Sequence, residues 1–155
     1  MTVTVRAATV EDLETVVSLR VDFLGAVRGP DFRPSDGFVE RTRSFVVAEH
    51  HGGRLHSWIA EEGSEPVGIV SVLLWSRPPQ PEDARTTEAY IINMYVPPEH
   101  QRQGIGRRLL DCCLASAEDL GIRKFLLHST DEGQALYESS GFAPKPNWME
   151  LPVSP

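Results

Sequence analysis

Positive charge is scarce in this sequence of 155 residues, which carries 15 Lys and Arg against 22 Asp and Glu and a formal net charge of −7. A nucleic-acid-binding domain usually presents a basic surface, and anionic lipid attracts the same kind of surface. The composition therefore excludes both classes, and we expect no nucleic acid and no membrane among the partners. Any anionic ligand must be held by a local group of donors and cations.

Cysteine and long apolar segments are also rare. Cys112 and Cys113 are adjacent in a predicted helix, so they are poorly placed to bridge each other. No stretch approaches the roughly 18 apolar residues of a membrane span, and the first residues lack a secretory pattern. His50, His51 and His56 have no Cys, Asp or Glu partner at convergent ligand spacing, so we expect no metal. These features favour a cytoplasmic protein with reduced thiols.

What is present is an alternation of strand-like and helix-like segments, which we interpret as one domain over residues 1–155. Hydrophobic alternation and turn signals predict strands over residues 2–7, 56–60, 67–75, 86–96, 123–128 and, in broken form, 142–151. Helical spacing and caps predict helices from residue 9 to about Gly25, over 38–50, over 104–120, and from a cap at Asp131 to Gly141. The order predicts an α/β fold, a mixed sheet with helices on both faces.

The chemistry is concentrated where the predicted strand 86–96 meets a helix. Gly104 and Gly106 allow a tight backbone turn, so that successive N–H groups and the positive end of the following helix point to one place. Arg102, Arg107 and Arg108 add three positive charges, with no acid between positions 100 and 110. Such a site suits a diphosphate better than a monovalent anion.

Two familiar nucleotide-binding loops do not fit this segment. A dinucleotide fingerprint needs a third glycine where this chain has Leu109, and an acidic residue after the next strand, which here ends in His128. A Walker-type loop needs Gly-Lys followed by Ser or Thr, which is absent from the segment. What remains is Gln-x-x-Gly-x-Gly over residues 101–106, at a strand-to-helix junction.

Two motifs carry a resemblance to a known family. The stretch Asn-Met-Tyr-Val-Pro-Pro-Glu-His-Gln-Arg-Gln-Gly-Ile-Gly (93–106) resembles the central strand and pyrophosphate loop of the GNAT superfamily of N-acetyltransferases. Residues 135–142, Ala-Leu-Tyr-Glu-Ser-Ser-Gly-Phe, are similar to that family's late Leu-Tyr-Glu-x-x-Gly-Phe motif. The resemblance implies a GNAT-like mixed sheet in which two parallel strands, 90–96 and 124–128, splay apart at the cofactor site.

The same resemblance implies acetyl-CoA as co-substrate. Backbone groups of the strand end would meet the pantetheine arm and polarise the thioester carbonyl, and amides of the loop would meet the diphosphate. Thr130 stands where the family often has an asparagine that contacts the cofactor. The implied cofactor-binding residues are Met94, Tyr95, Val96, Gln101, Arg102, Gln103, Gly104, Ile105, Gly106, Arg107, Thr130 and Tyr137.

Candidate catalytic residues follow from the same comparison. Tyr137 is implied as the acid that protonates the departing sulfur, with a core tyrosine as the alternative. Glu88, placed by alternation on the same strand face as Met94, is a candidate general base; the alternatives are a solvent-exposed strand-start residue and a water chain. His128 is either a proton relay or a structural histidine. Asn93 is expected to bond across a bulge that splays the sheet, or to cap a buried backbone group.

We therefore predict a cytoplasmic N-acetyltransferase that moves an acetyl group directly from acetyl-CoA to a primary amine of a small molecule or peptide. The alternative is a non-catalytic sensor module that binds CoA or acyl-CoA. A peptide N-terminus, a lysine, a polyamine and an antibiotic amine all fit the sequence, because fold and cofactor do not determine the acceptor. Dimerisation is common in the family, and the resemblance leaves a homodimer open.

Overall fold

The computed structural model describes residues 2–155 and contains one sheet of five strands in the order β1-β2-β3-β4-β5. β1 to β4 are antiparallel neighbours, whereas β4 and β5 run parallel. A parallel pair requires a crossover connection, and a helix supplies it here. The strands are β1 (Val3–Ala7), β2 (Leu55–Glu62), β3 (Glu65–Ser76), β4 (Thr87–Tyr95) and β5 (Ile122–Leu126).

Helices lie on both faces of this sheet, as the sequence predicts. Within residues 2–155 they are α1 (Leu13–Arg28), α2 (Phe38–His51), α3 (Ile105–Ala115) and α4 (Gln134–Ser139). Helices α1 and α2 pack on one face, and α3 and α4 contribute to the apolar cluster on the other. No helix in the described part of the chain is long and apolar enough to cross a membrane.

The core on the α3 side is formed by the apolar stripe of that helix. Leu109, Leu110 and Cys113 are fully buried against Val72 and Ala89 of the sheet. Burying apolar side chains of this size stabilises the fold by about 1.5–3 kcal/mol each. This packing fixes α3, and with it the loop that precedes the helix. Both cysteines are free thiols.

The core on the other face joins α1 and α2 to β2 and β3. Val16 and Val17 of α1 pack with Val46 of α2 and with Ile59 and Ile69 of the sheet. The buried stripe of α2 is narrow, because its apolar residues Phe45 and Val39 are 45% and 37% exposed. The inner face of α2 is set by Thr42 and Val46, which are the residues of this helix that reach the core.

Helix ends differ from the predicted ones where local hydrogen bonding decides. α1 continues through Gly25 to Arg28, because the glycine that takes a positive φ, of 92°, is Gly29. α3 ends at Ala115 instead of residue 120, where the Ser116 hydroxyl donates to the Cys113 carbonyl at 2.6 Å. Side-chain bonds of this kind compete with the helical ladder.

The helix predicted before Gly141 is present as α4, but the predicted cap and the predicted strand after it are wrong. Asp131 does not cap α4; instead the Thr130 hydroxyl accepts from the Gly133 N–H at 3.2 Å. Residues 142–151 form no strand and run as loop and turns. Pro144 and Pro146 remove N–H donors that a strand would need, so β5 is left at the edge of the described sheet.

Gly68 of β3 is the point of closest approach between α3 and the sheet. A Cβ at this position would lie 3.0 Å from Leu109 Cδ1, 3.2 Å from the Tyr95 carbonyl oxygen and 3.3 Å from Ile105 Cγ2. Two of these neighbours are buried and the third is backbone, so none moves easily. A glycine therefore lets α3 seat directly on the end of β4.

We expect Gly68→Ala to destabilise the protein by about 1–3 kcal/mol, because added volume in a packed core forces side chains or backbone to shift. Gly52→Ala is the matched control: its φ is −74°, and the nearest atoms to its added Cβ belong to the guanidinium of Arg54, an exposed side chain outside the core. Urea unfolding of both variants measures the difference. Equal midpoints would show that α3 tolerates displacement from the sheet.

Candidate active site

The parallel strands β4 and β5 separate after a short paired region. Residues Thr87 to Tyr90 pair with Ile122 to Leu126, and the pairing ends at Tyr90 opposite Leu126. The remaining residues of β4 continue to Tyr95 without a partner on that side. The predicted splay is confirmed, and it leaves backbone N–H and C=O groups of β4 free to bind an extended ligand.

A bulge in β4 re-aims its side chains. Asn93 has a φ of 56°, and the register with β3 shifts between Ile69 and Ser71. Ile91 packs toward α3, Ile92 toward α1, and Met94 again toward α3. The prediction that Glu88 and Met94 share a face is therefore wrong, because one extra residue in the strand reverses the alternation.

A cavity of about 270 Å³ opens beside this bulge. Several elements line it: Arg20 and Phe23 of α1, Tyr90 to Met94 of β4, His128 and Thr130 after β5, and Gly133, Leu136 and Tyr137 at α4. The structure thus brings three predicted site residues, Met94, Thr130 and Tyr137, to one cavity. The residues of the Gln-x-x-Gly-x-Gly loop do not line it.

Tyr137 is held rigidly with its hydroxyl free. The side chain is 8% exposed and packs edge-on against Phe142, with ring centroids 5.8 Å apart. Its hydroxyl has no hydrogen-bond partner in residues 2–155. Since no side-chain polar atom in these residues is both buried and unpaired, the hydroxyl must be exposed, and it reaches the cavity. Burial, with a smaller effect of Cys113, raises the pKa of Tyr137 to about 12. The phenol is therefore a proton donor at neutral pH.

The loop between β4 and α3 has an unusual backbone. Arg102 and Gly104 both have left-handed conformations, with φ of 62° and 78°. The N–H groups of residues 102–107 donate no hydrogen bond within residues 2–155. Gln101 fastens the loop to the strand through Nε2, which donates to the Val96 carbonyl at 2.9 Å. A row of free donors at a helix start forms a concave site for an anion.

The arginines of this loop have different surroundings. Arg102 and Arg108 are exposed and form no salt bridge in the described chain. Arg107 turns toward α4 and donates to the Ser140 hydroxyl at 2.6 Å and to the Ser139 hydroxyl. Arg107 therefore ties α3 to the helix that carries Tyr137.

These features can be compared with known proteins. A model of the Acetyltransferase (GNAT) family matches residues 21–142. This chain belongs to the GNAT acetyltransferase family. The match includes the bulged strand, the loop of free N–H groups and Tyr137.

Solved structures extend the similarity to nearly the whole chain. A predicted acetyltransferase with acetyl-CoA from Clostridium acetobutylicum has a TM-score of 0.86 and 25% identity, over 97% of this chain and 96% of that one. A GCN5-related N-acetyltransferase from Ralstonia eutropha JMP134 has a TM-score of 0.84 and 28% identity, over 98% and 99%. Among curated proteins, human N-acetyltransferase 8 is 32% identical over 88 residues, 55% of this chain but only 37% of that protein. Family membership and these neighbours support acetyl transfer as the class of activity.

Glu88 occupies a different environment from the one expected in a GNAT base. It is 2% exposed and does not line the cavity. Its carboxylate accepts from Arg123 at 2.8 Å and from Trp75 Nε1 at 3.1 Å, and Lys124 lies 3.4 Å away. Burial raises the pKa of Glu88, but the bonds from Arg123 and Trp75 and the charge of Lys124 outweigh it and leave the pKa below its ordinary value. A catalytic role for Glu88 stays a prediction, and these contacts argue against it.

His128, a candidate from the sequence, lines this GNAT cavity and is bonded to Tyr90 and Glu150, two residues that sequence reasoning missed. The Tyr90 hydroxyl bonds to His128 Nδ1, and His128 Nε2 lies 2.9 Å from the Glu150 carboxylate. A carboxylate can only accept, so Nε2 carries the hydrogen and Nδ1 of a neutral ring accepts from Tyr90. Glu150 lies in residues 142–151, which the sequence predicts as a strand. Only the tertiary fold shows that it contacts His128.

We expect Glu88→Gln to act on stability rather than on catalysis. The variant leaves Arg123 buried without a counter-charge, and breaking a buried ion pair typically costs about 3–5 kcal/mol. Because the folded pKa of Glu88 is lowered from 4.5, its contribution is present above that pH and is lost as the pH falls below it. The difference between wild type and Glu88→Gln should therefore shrink toward acid pH in denaturant titrations.

The control for this variant is Asp83→Asn, which removes the same charge from the exposed pair with Arg85. We expect only a small change in stability there. A Glu88→Gln protein of unchanged stability whose kcat falls by a hundredfold or more would instead identify Glu88 as a base.

Proposed function

We propose that this protein transfers the acetyl group of acetyl-CoA directly to a primary amine of a small molecule or peptide. The observation that carries the proposal is the row of free N–H groups at residues 102–107, placed at the end of a strand whose parallel neighbour has splayed away. Bound acetyl-CoA supplies the activated acetyl group, and the chain supplies position, charge and proton donors.

The loop fits a diphosphate. Its free N–H groups and the start of α3 present partial positive charge, and the exposed side chains of Arg102 and Arg108 add full charges. No acid lies between positions 100 and 110, so the net charge of −7 does not oppose binding locally. We assign the amides of Arg102, Gln103, Gly104, Ile105, Gly106 and Arg107 to this role, with Gln101 as the residue that positions the loop.

The free edge of β4 fits an extended arm. Backbone groups of Met94, Tyr95 and Val96 follow the bulge on the side where β5 has left the sheet. The Val96 carbonyl is already used by Gln101, which leaves the groups nearer the bulge for the ligand. An N–H in this segment can also polarise a thioester carbonyl. Across the gap, the Thr130 hydroxyl accepts from Gly133 and keeps its own hydrogen for donation.

Direct transfer is favoured over an acetylated cysteine. Cys113 is fully buried on the core side of α3, and burial with the neighbouring Cys112 raises its pKa to about 12. A thiol of that kind is a poor nucleophile, since the thiolate is the reactive form. Cys112 does not line the cavity either. The amine must therefore attack the thioester carbon itself.

Two proton transfers are needed, one to the leaving sulfur and one from the attacking amine, and we assign them to different groups. Tyr137, whose free hydroxyl faces the cavity, donates to the departing sulfur. Tyr90 and His128 also line the cavity, and we assign to this pair the removal of the proton from the attacking amine. The Glu150 carboxylate lies 2.9 Å from His128 Nε2 and orients the ring.

The proposed function is tested by release of free thiol from acetyl-CoA in the presence of a panel of primary amines. We expect amine-dependent release, and a KM for acetyl-CoA raised on the order of tenfold in Gly104→Ala, because a side chain at a φ of 78° strains the loop. Gly53→Ala is the control, with a similar φ of 71° and no neighbour within 4 Å. Binding of acetyl-CoA without amine-dependent release would support a sensor module instead.

Tyr137→Phe tests the proton donor. We expect kcat to fall by about 10²–10⁴, the usual contribution of a positioned acid, while the Kd for CoA stays within about twofold. The phenyl ring keeps the contact with Phe142, so folding is preserved. Calorimetric binding and steady-state rates of the same preparation separate the two quantities. An unchanged kcat would make Tyr137 a core tyrosine only.

A further inference from the structure

Arg20 is a charged residue on the buried face of α1. It follows Val16 and Val17 by one turn, and these two side chains are only 1% and 2% exposed. Helical spacing therefore directs Arg20 toward the sheet, where it is half-buried and lines the cavity beside Phe23. A guanidinium at such a position needs a partner, because burying an unpaired charge is costly.

The protein itself provides no anion for Arg20. Its only hydrogen bond in the described chain runs from Nη1 to Asn93 Oδ1, at 2.6 Å, and it forms no salt bridge in residues 2–155. By contrast, Arg123, which is also buried, contacts a carboxylate at 2.8 Å. Burial and the nearby charge of Arg28 lower the pKa of Arg20, with no acid acting in the other direction. Most of its five N–H donors remain free for a ligand.

We propose that Arg20 binds an anionic group of the acceptor, so that the acceptor is a small amine carrying a carboxylate or a phosphate. This inference rests on the proposed function, because it assigns the substrate class of the same site. The unpaired positive charge of Arg20 repels a purely cationic acceptor, such as a polyamine or a lysine side chain. It attracts an acceptor that carries an anionic group besides its amine.

The placement of Arg20 separates it from the diphosphate loop. It contacts Asn93 at the bulge, whereas the free N–H groups begin at Arg102, beyond the end of β4 and a short turn at Pro98–His100. Arg20 stands on the α1 wall of the cavity, and Tyr90 and His128 belong to other walls.

The test compares matched amines in the thiol-release assay. One series pairs L-amino acids with their amides, in which a neutral group replaces the carboxylate; the other pairs O-phosphoethanolamine with ethanolamine and glucosamine 6-phosphate with glucosamine. For wild type we expect kcat/KM at least tenfold higher for the anionic member of one series, and the series that responds identifies the anion. Arg20→Gln should lower this value about 10- to 100-fold, mainly through the KM of the acceptor.

Control variants distinguish direct binding of the anion by Arg20 from a general effect of charge and from an effect on folding. Arg20→Gln keeps an amide N–H for Asn93, and Arg20→Lys should restore part of the preference by restoring the charge. Arg28→Gln removes the same charge from an exposed position over the Phe32 ring on the same helix, and should leave the preference unchanged. A fall in kcat that is equal for anionic and neutral amines, or equal effects of Arg20→Gln and Arg28→Gln, would overturn the proposal.

Binding can be measured without turnover, so that failure of the proposed function is distinguishable. Thermal protection by the N-acetylated amino acids and N-acetylated amino phosphates should appear in wild type and be lost in Arg20→Gln. If anionic compounds protect wild type but not Arg20→Gln, and wild type releases no thiol, the proposed anion site stands and the proposed acetyltransferase activity is rejected. Thiol release from neutral amines alone, with no protection by any anionic compound, would retain the enzyme and reject the anion site.

Discussion

The site depends on one backbone feature, the left-handed residue Asn93 near the end of β4. The extra residue ends the regular alternation and turns Met94 to the α3 side. Just before it, at Tyr90, the pairing with β5 ends. A residue other than glycine holds such a conformation only when its surroundings determine it. Here the Asn93 side chain is buried and accepts a hydrogen bond from Arg20, so the wall of the cavity and the shape of the strand are stabilised together.

Two buried charges near β4 illustrate how the same chemistry serves different purposes. Glu88 at the start of the strand is neutralised by Arg123, which also donates to the carbonyls of Pro78 and Arg85 and so fixes the loop between β3 and β4. Arg20 at the bulge has an amide oxygen as its partner and no carboxylate. The carboxylate of Glu88 is therefore part of a structural ion pair, whereas the guanidinium of Arg20 lines the cavity without a carboxylate partner in residues 2–155.

Much of the fold follows from short-range patterns. Strands at β2 and β3 and a helix close to Phe38–His51 were predicted, because alternation, caps and turn residues act locally, whereas the parallel pair around α3 was implied by the family resemblance. The errors lie where longer-range contacts compete. The Thr130 hydroxyl displaces Asp131 as the residue that bonds to the start of α4, and the region 142–151 passes the cavity without joining the sheet. Glu150 contacts His128, which is far from it in sequence, and no local pattern predicts such a contact.

The sequence by itself determined the chemistry of the loop at residues 101–106 and of the motif around Tyr137, because glycine conformation, free N–H groups and side-chain type are properties of the local chain. Only the tertiary structure decided which groups meet. It paired Glu88 with Arg123 and Trp75 outside the cavity, and it placed Tyr90, His128 and Arg20 in the cavity lining. The physical reason is that burial and charge pairing depend on the packing of α1 and of the chain beyond β5 against the sheet. The packing of these two segments leaves no pattern in the local sequence. The one exception is that Arg20 is a charged residue on an otherwise apolar face of α1.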